Sequence, residues 1–131
     1  MKQTFSLGLD SLRDIVSFID KAADEFSLDD KTTYSVNMAV EELFTNMIKY
    51  GVGDKSVDVG LDKTDGQFII RLIQENSEPF DLTDLQAVDT SAPLEARRPG
   101  GLGIHLVKCI MDEVNYDYKD RVTRIRLVKN L

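Results

Sequence analysis

Between Gly51 and Val57 the spacing of apolar residues changes from helical to alternating, and this change limits the fold more than any other feature of the chain. Upstream, Leu12, Ile15, Val16, Ile19, Ala22, Ala23 and Phe26 recur at three- and four-residue intervals, which puts them on one stripe of a helix. Ser11 and Asp14 fit a capping box at its start. A second helix is expected from near Leu28–Asp30, where acidic residues suit the positive end of the dipole, to about Tyr50, with Gly51 ending it. Its apolar stripe is Val36, Ala39, Val40, Leu43 and Met47. Downstream, Val57, Val59 and Leu61 alternate, and Phe68 to Ile73 forms a second apolar run. Asp65-Gly66 between them is a turn signal, so the two runs read as an antiparallel hairpin.

The remaining segments complete the pattern. Residues 2–8 alternate loosely and read as a first strand. Residues 81–99 have no clean period, contain Pro93 and Pro99, and read as a long loop of the kind that is usually functional or mobile. A third helix is expected from about Gly101 to Asp112, followed by strands near Val114–Tyr118 and Val122–Val128 with Lys119–Asp120 as their turn. The order is strand, two helices, hairpin, loop, helix, hairpin. Partly segregated helices and strands predict an α+β two-layer sandwich: a mixed, mostly antiparallel sheet with helices on one face. At 131 residues the expectation is a single domain over 1–131.

Charge and cysteine content exclude several functions. With 16 Lys+Arg against 23 Asp+Glu the net charge is −7, and an acidic domain repels phosphate backbones, so no nucleic-acid partner is expected. Cys109 is the only cysteine, so no internal disulfide can form. Its apolar neighbours Val107, Ile110 and Met111 suggest a buried thiol. One cysteine and one histidine cannot make a zinc site. No apolar stretch approaches membrane-spanning length, and Asp10, Arg13 and Asp14 interrupt any early leader-like run, so the expectation is a cytoplasmic protein without a membrane partner.

Three segments could carry chemistry. In the second helix Glu42 and Asn46 are one turn apart and share a face, with Lys49 near the same stripe. The carboxylate could serve as a general base and the amide oxygen as a hard ligand for Mg²⁺. A solvated helix face accounts for the same spacing. In Arg97-Arg98-Pro99-Gly100-Gly101-Leu102-Gly103, glycines run straight into a helix. Backbone N–H groups without Cβ neighbours can approach a phosphate there, and a flexible loop end is the competing account. The third segment is Glu75-Asn76-Ser77-Glu78-Pro79-Phe80. An acid at a strand end can accept a hydrogen bond from an adenine amino group, and a simple strand-to-loop turn is the alternative. His105 and the Arg97-Arg98 pair carry no assigned role.

In this order and spacing the three segments resemble the N, G1 and G2 boxes of the GHKL ATPase superfamily, and most closely the anti-sigma factor serine-protein kinases of the RsbW and SpoIIAB type. Glu42, Asn46, Lys49 and Gly51 match the first box. Pro79-Phe80-Asp81 matches the end of the second. Gly100, Gly101 and Gly103 match the third, which continues into a helix ending Met111-Asp112-Glu113-Val114-Asn115-Tyr116. The chain departs from the family in the second box, where Asp-x-Gly is usual and Glu75 and Ser77 stand instead.

The resemblance implies a Bergerat-type ATP-binding fold with ATP and Mg²⁺ as cofactors. Asn46 would hold the metal, Glu42 would take a proton from a substrate serine, Glu75 would meet adenine, and Lys49, Gly100, Gly101 and Gly103 would meet the nucleotide. It further implies two partners, an anti-anti-sigma protein of STAS fold as substrate and a sigma factor as the alternative, and a homodimer. The loop 81–99 would be a lid that is mobile without nucleotide. A second function fits the same fold: a non-catalytic partner-binding module with weak or lost nucleotide binding. A histidine kinase fits less well, because no dimerisation helices with a phosphoacceptor histidine precede the ATP domain.

Overall fold

A computed structural model of the chain describes residues 1–50, 54–78 and 101–131. Strand β1 (Lys2–Ser6) leads through a 3-10 turn (Leu9–Ser11) into α1 (Leu12–Glu25) and α2 (Asp30–Tyr50). Strands β2 (Ser56–Thr64) and β3 (Gln67–Gln74) follow, then α3 (Gly101–Ile110), β4 (Glu113–Lys119) and β5 (Val122–Asn130). The five strands form one sheet in the order β1-β2-β3-β5-β4, and every pairing is antiparallel. The expected α+β architecture is therefore present; the sheet, expected to be mixed and mostly antiparallel, is wholly antiparallel among the described residues. The loop expected over 81–99 and the residue that ends α2, Gly51, lie outside the described residues.

Alternation along each strand sends one set of side chains to the helices. Val57, Val59 and Leu61 of β2, Phe68, Ile70 and Leu72 of β3, and Ile125 and Leu127 of β5 are buried in one cluster. From the other layer α1 contributes Ile15, Phe18, Ile19 and Ala22. The α2 helix contributes Val36, Ala39, Val40, Leu43, Phe44 and Met47, and Val107 comes from α3. Leu43 and Phe44 are fully buried, and each such side chain stabilises the fold by roughly 1.5–3 kcal/mol relative to exposure. Ring contacts fix α1 against the sheet: Phe5 meets Phe18 with centroids 5.5 Å apart, and Phe26, just past α1, meets Phe68 at 6.0 Å. Asn37 of α2 donates to Asp20 of α1 at 3.3 Å, while its own Oδ1 is buried without a partner among the described residues.

Three local expectations are corrected. Ser11 does not cap α1: it has helical backbone angles and no capping bond, because its hydroxyl pairs with Ser6 Oγ at 2.8 Å and the 3-10 turn already feeds the helix. Cys109 is exposed rather than buried, since the buried side of α3 faces α2 through Val107. The β4–β5 turn is Asp120–Arg121, one residue beyond the expected pair, with Lys119 and Val122 closing the ladder. Both turn residues have positive φ, 53° and 63°, as the twist of a two-residue hairpin demands. At the start of α2 the acidic expectation is met by Asp29, whose Oδ1 accepts the Thr32 N–H at 2.7 Å.

Candidate functional site

The middle of α2 brings together Glu42 and Asn46. Apolar residues on either side (Leu43, Phe44, Met47) fix the helix's rotation against the sheet, which leaves Glu42 half-buried and Asn46 4% exposed. Lys49, three residues further, is exposed. The Asn46 amide nitrogen donates to the Glu42 carbonyl at 2.7 Å. That bond uses one of the amide's two N–H donors and leaves Oδ1 as its acceptor. A hard cation needs an oxygen presented in this way, so the residue fits the metal role chemically. The Glu42 carboxylate is one turn back on the same face, and Glu41 lies exposed about 100° around the helix.

Packed against α2 is α3, which begins at Gly101. Gly101 and Gly103 therefore lie in the first turn, where N–H groups have no intrahelical acceptor. The expectation that the glycine run opens a helix holds for both. Gly100, the arginine pair and Pro79-Phe80-Asp81 lie outside the described residues.

The end of β3 is the third part, and it is built by residues that sequence reasoning missed. Gln74 is buried and donates to the Asp54 carbonyl at 2.9 Å. The Asp54 N–H donates to the Glu75 carbonyl at 3.2 Å, and the Asn76 amide reaches both Asp54 carboxylate oxygens at 3.2 and 3.1 Å. Asn76 takes φ 49°, a left-handed conformation that asparagine tolerates better than most residues. Ser77 is fully buried. Its N–H donates to the Arg121 carbonyl at 2.8 Å, its hydroxyl lies 2.7 Å from Thr123 Oγ1, and its carbonyl accepts from the Tyr118 hydroxyl at 2.8 Å. The one signal for this in the sequence was the Asn-Ser pair itself, both turn formers. The partners Asp54, Tyr118 and Thr123 become legible only once the sheet register is known. Glu75 is exposed, free to reach outward from this fixed base.

The described residues thus combine an all-antiparallel sheet, a long helix on one side of it bearing Glu and Asn one turn apart, and a second helix opened by glycines. Residues 5–129 match the histidine kinase-like ATPase domain family, and the chain belongs to it. No curated protein matches it. Among solved structures, it is similar to the RsbU and RsbW domains of Rv1364c from Mycobacterium tuberculosis, with a TM-score of 0.71 and 14% identity, covering 100% of this chain and 31% of that one. It is also similar to the Acinetobacter baumannii histidine kinase AdeS, with a TM-score of 0.57 and 13% identity, covering 99% of this chain and 67% of that one. At these identities the likeness is one of fold. The chain spans about a third of the length of the RsbU–RsbW chain it matches.

Proposed function

We propose that this chain is an ATP-binding anti-sigma regulatory factor that phosphorylates a serine of a STAS-type partner. The observation that carries it is the α2 face, where the buried Asn46 donates one N–H to the Glu42 carbonyl and has its Oδ1 as acceptor, one turn from a half-buried carboxylate. In this reading Asn46 holds Mg²⁺, which supplies charge neutralisation at the phosphates when bound. The first-turn N–H groups at Gly101 and Gly103, with Gly100 before them, orient the phosphates, Lys49 adds a positive charge at their edge, and Glu75 meets the adenine amino group. Glu42 accepts the proton of the attacking serine hydroxyl. Positioning and charge stabilisation account for most of the rate in such transfers. The sigma factor would be the competing partner, and assembly as a homodimer in the cytoplasm belongs to the same reading.

Calorimetric titration with ATP and Mg²⁺ tests the first half, and no heat at millimolar nucleotide would overturn it. Phosphate transfer by Glu42→Gln tests the second. Shape is kept and the proton acceptor is lost, so ATP affinity is expected to stay near wild type while transfer to a STAS partner falls about 10²–10⁴-fold. Equal rates for wild type and variant would remove Glu42 from the chemistry. One observation favours the non-catalytic module instead: Ser77 is immobilised by four hydrogen-bonding groups at a position the family usually leaves to glycine. Binding of both ATP and a STAS partner without transfer would decide for that reading.

A further inference from the structure

Among the described residues no helix covers the second face of the sheet. Strand register places its side chains in rows. Lys2 lies opposite Gly60, Gly60 opposite Arg71, Arg71 opposite Arg126, and Arg126 opposite Asn115. In the next row Ile73 lies opposite Arg124. Three arginines thus cluster on two adjacent central strands of a chain whose net charge is −7. Like charges directly opposed across strands destabilise a sheet, so folding gains nothing from the Arg71–Arg126 pair. Arg71 is partly neutralised by Asp62 at 3.1 Å, and Arg124 only loosely by Asp117 at 3.9 Å. Arg126 is half-buried and has no acceptor among the described residues.

The surface around these arginines is concave. Gly60 has no side chain to fill its place, and a depression of about 280 Å³ opens between Lys2 and Arg71. A second of about 270 Å³ opens on the other side, between Arg71 and Arg124. Both share Arg71 and Ile73, so they adjoin as one trough across the strands, in which Lys2 and three arginines stand among Asp58, Asp62 and Asp117. Five strands at about 4.8 Å spacing give a trough roughly 20 Å long, enough for about six extended residues.

We propose that this trough docks an extended acidic segment of a partner protein, with carboxylates on Arg71, Arg124 and Arg126 and an apolar side chain on Ile73. Guanidinium groups donate to carboxylates in bidentate fashion, and Arg126 has no competing acceptor among the described residues. A nucleic acid is a worse occupant: Asp58 and Asp62 on β2 and Asp117 on β4 line the trough among the cations, and a continuous phosphate backbone crossing it would meet each of them. A short segment can set its two or three carboxylates on the arginines and neutral residues beside the aspartates. Loss of ATP binding would leave this surface unchanged.

The test uses the full chain labelled for NMR and a capped peptide, Ser-Glu-Leu-Glu-Gly-Glu-Leu-Ser. Peptide-induced shifts are expected in the amides of β3 and β5 around Arg71, Ile73, Arg124 and Arg126, weakening as salt is raised. Arg126→Glu is expected to weaken binding at least about tenfold, the loss of a charge-assisted contact. It should also raise the melting midpoint, because a carboxylate then faces Arg71. Weaker binding in a more stable protein separates docking from a structural role, and Arg126→Gln replaces the variant if it does not fold. No shifts at millimolar peptide, equal binding of the Gln-for-Glu peptide, unchanged binding by Arg126→Glu, or an oligothymidylate shifting the same amides as strongly would each overturn the proposal.

Discussion

Ser77 has its hydroxyl 2.7 Å from Thr123 Oγ1 and no exposed surface, three residues past the end of β3. The side chain that departs from the family's glycine is therefore turned into the fold and not toward a ligand. Removing the hydroxyl leaves Thr123 Oγ1, itself buried, without that partner. Ser77→Ala is expected to lose about 1–3 kcal/mol in urea denaturation, with nucleotide affinity held near wild type. A fall in affinity at unchanged stability would show that the hydroxyl acts on the ligand instead. Glu42 and Asn46 were legible as residues because helical spacing alone puts them on one face. Ser77's network was not, because its partners Arg121 and Thr123 lie more than forty positions away and meet it only through the β3–β5 register.

At the level of single elements, the strong periods survived and the ends did not. Both β2–β3 and β4–β5 were readable from alternation, yet the second turn fell one residue later than expected, because the ladder closes at Lys119–Val122. That turn holds Arg121 at φ 63°. A non-glycine residue there costs roughly 1–2 kcal/mol, and glycine's extra unfolded-state freedom recovers about 0.5–1 of it. Arg121→Gly is expected to raise stability by about 0.5–1 kcal/mol, read by thermal or urea melts; the Arg121 carbonyl that Ser77 uses is retained. At the start of α2 the cap is Asp29. Its carboxyl is held below the ordinary value of 3.8, first by the Thr32 N–H and then by the Thr32 side chain. A depressed folded value stabilises the fold at pH above 3.8 and loses that contribution as pH falls through the lowered value. Asp29→Ala should therefore melt earlier than wild type at neutral pH, with the gap closing in strong acid. A gap that persists undiminished at the acid end would mean that the carboxylate is not the cause.

At the scale of the whole molecule, the sequence carries the layer order because the core stripes of α1, α2 and the inward halves of the strands are each written in their own period. The outward face is another matter: Arg71, Arg124 and Arg126 are unremarkable charges until register lays them side by side. The proposed nucleotide site links the two scales, since any ligand that binds only the folded chain raises its stability by RT ln(1 + [L]/Kd), about 2.7 kcal/mol at a hundredfold excess over Kd. Under the proposed function, ATP with Mg²⁺ shifts the melting curve upward, and ATP with a chelator shifts it less, the difference being the metal's share. Asn46→Ala removes the oxygen assigned to the metal but leaves the helix carbonyl it bonded, that of Glu42, with its own backbone partner. The variant is expected to melt near wild type without ligand and to show the same, smaller shift whether or not Mg²⁺ accompanies ATP. An Asn46→Ala protein that still gains the full Mg²⁺-dependent shift would place the metal's protein ligand elsewhere.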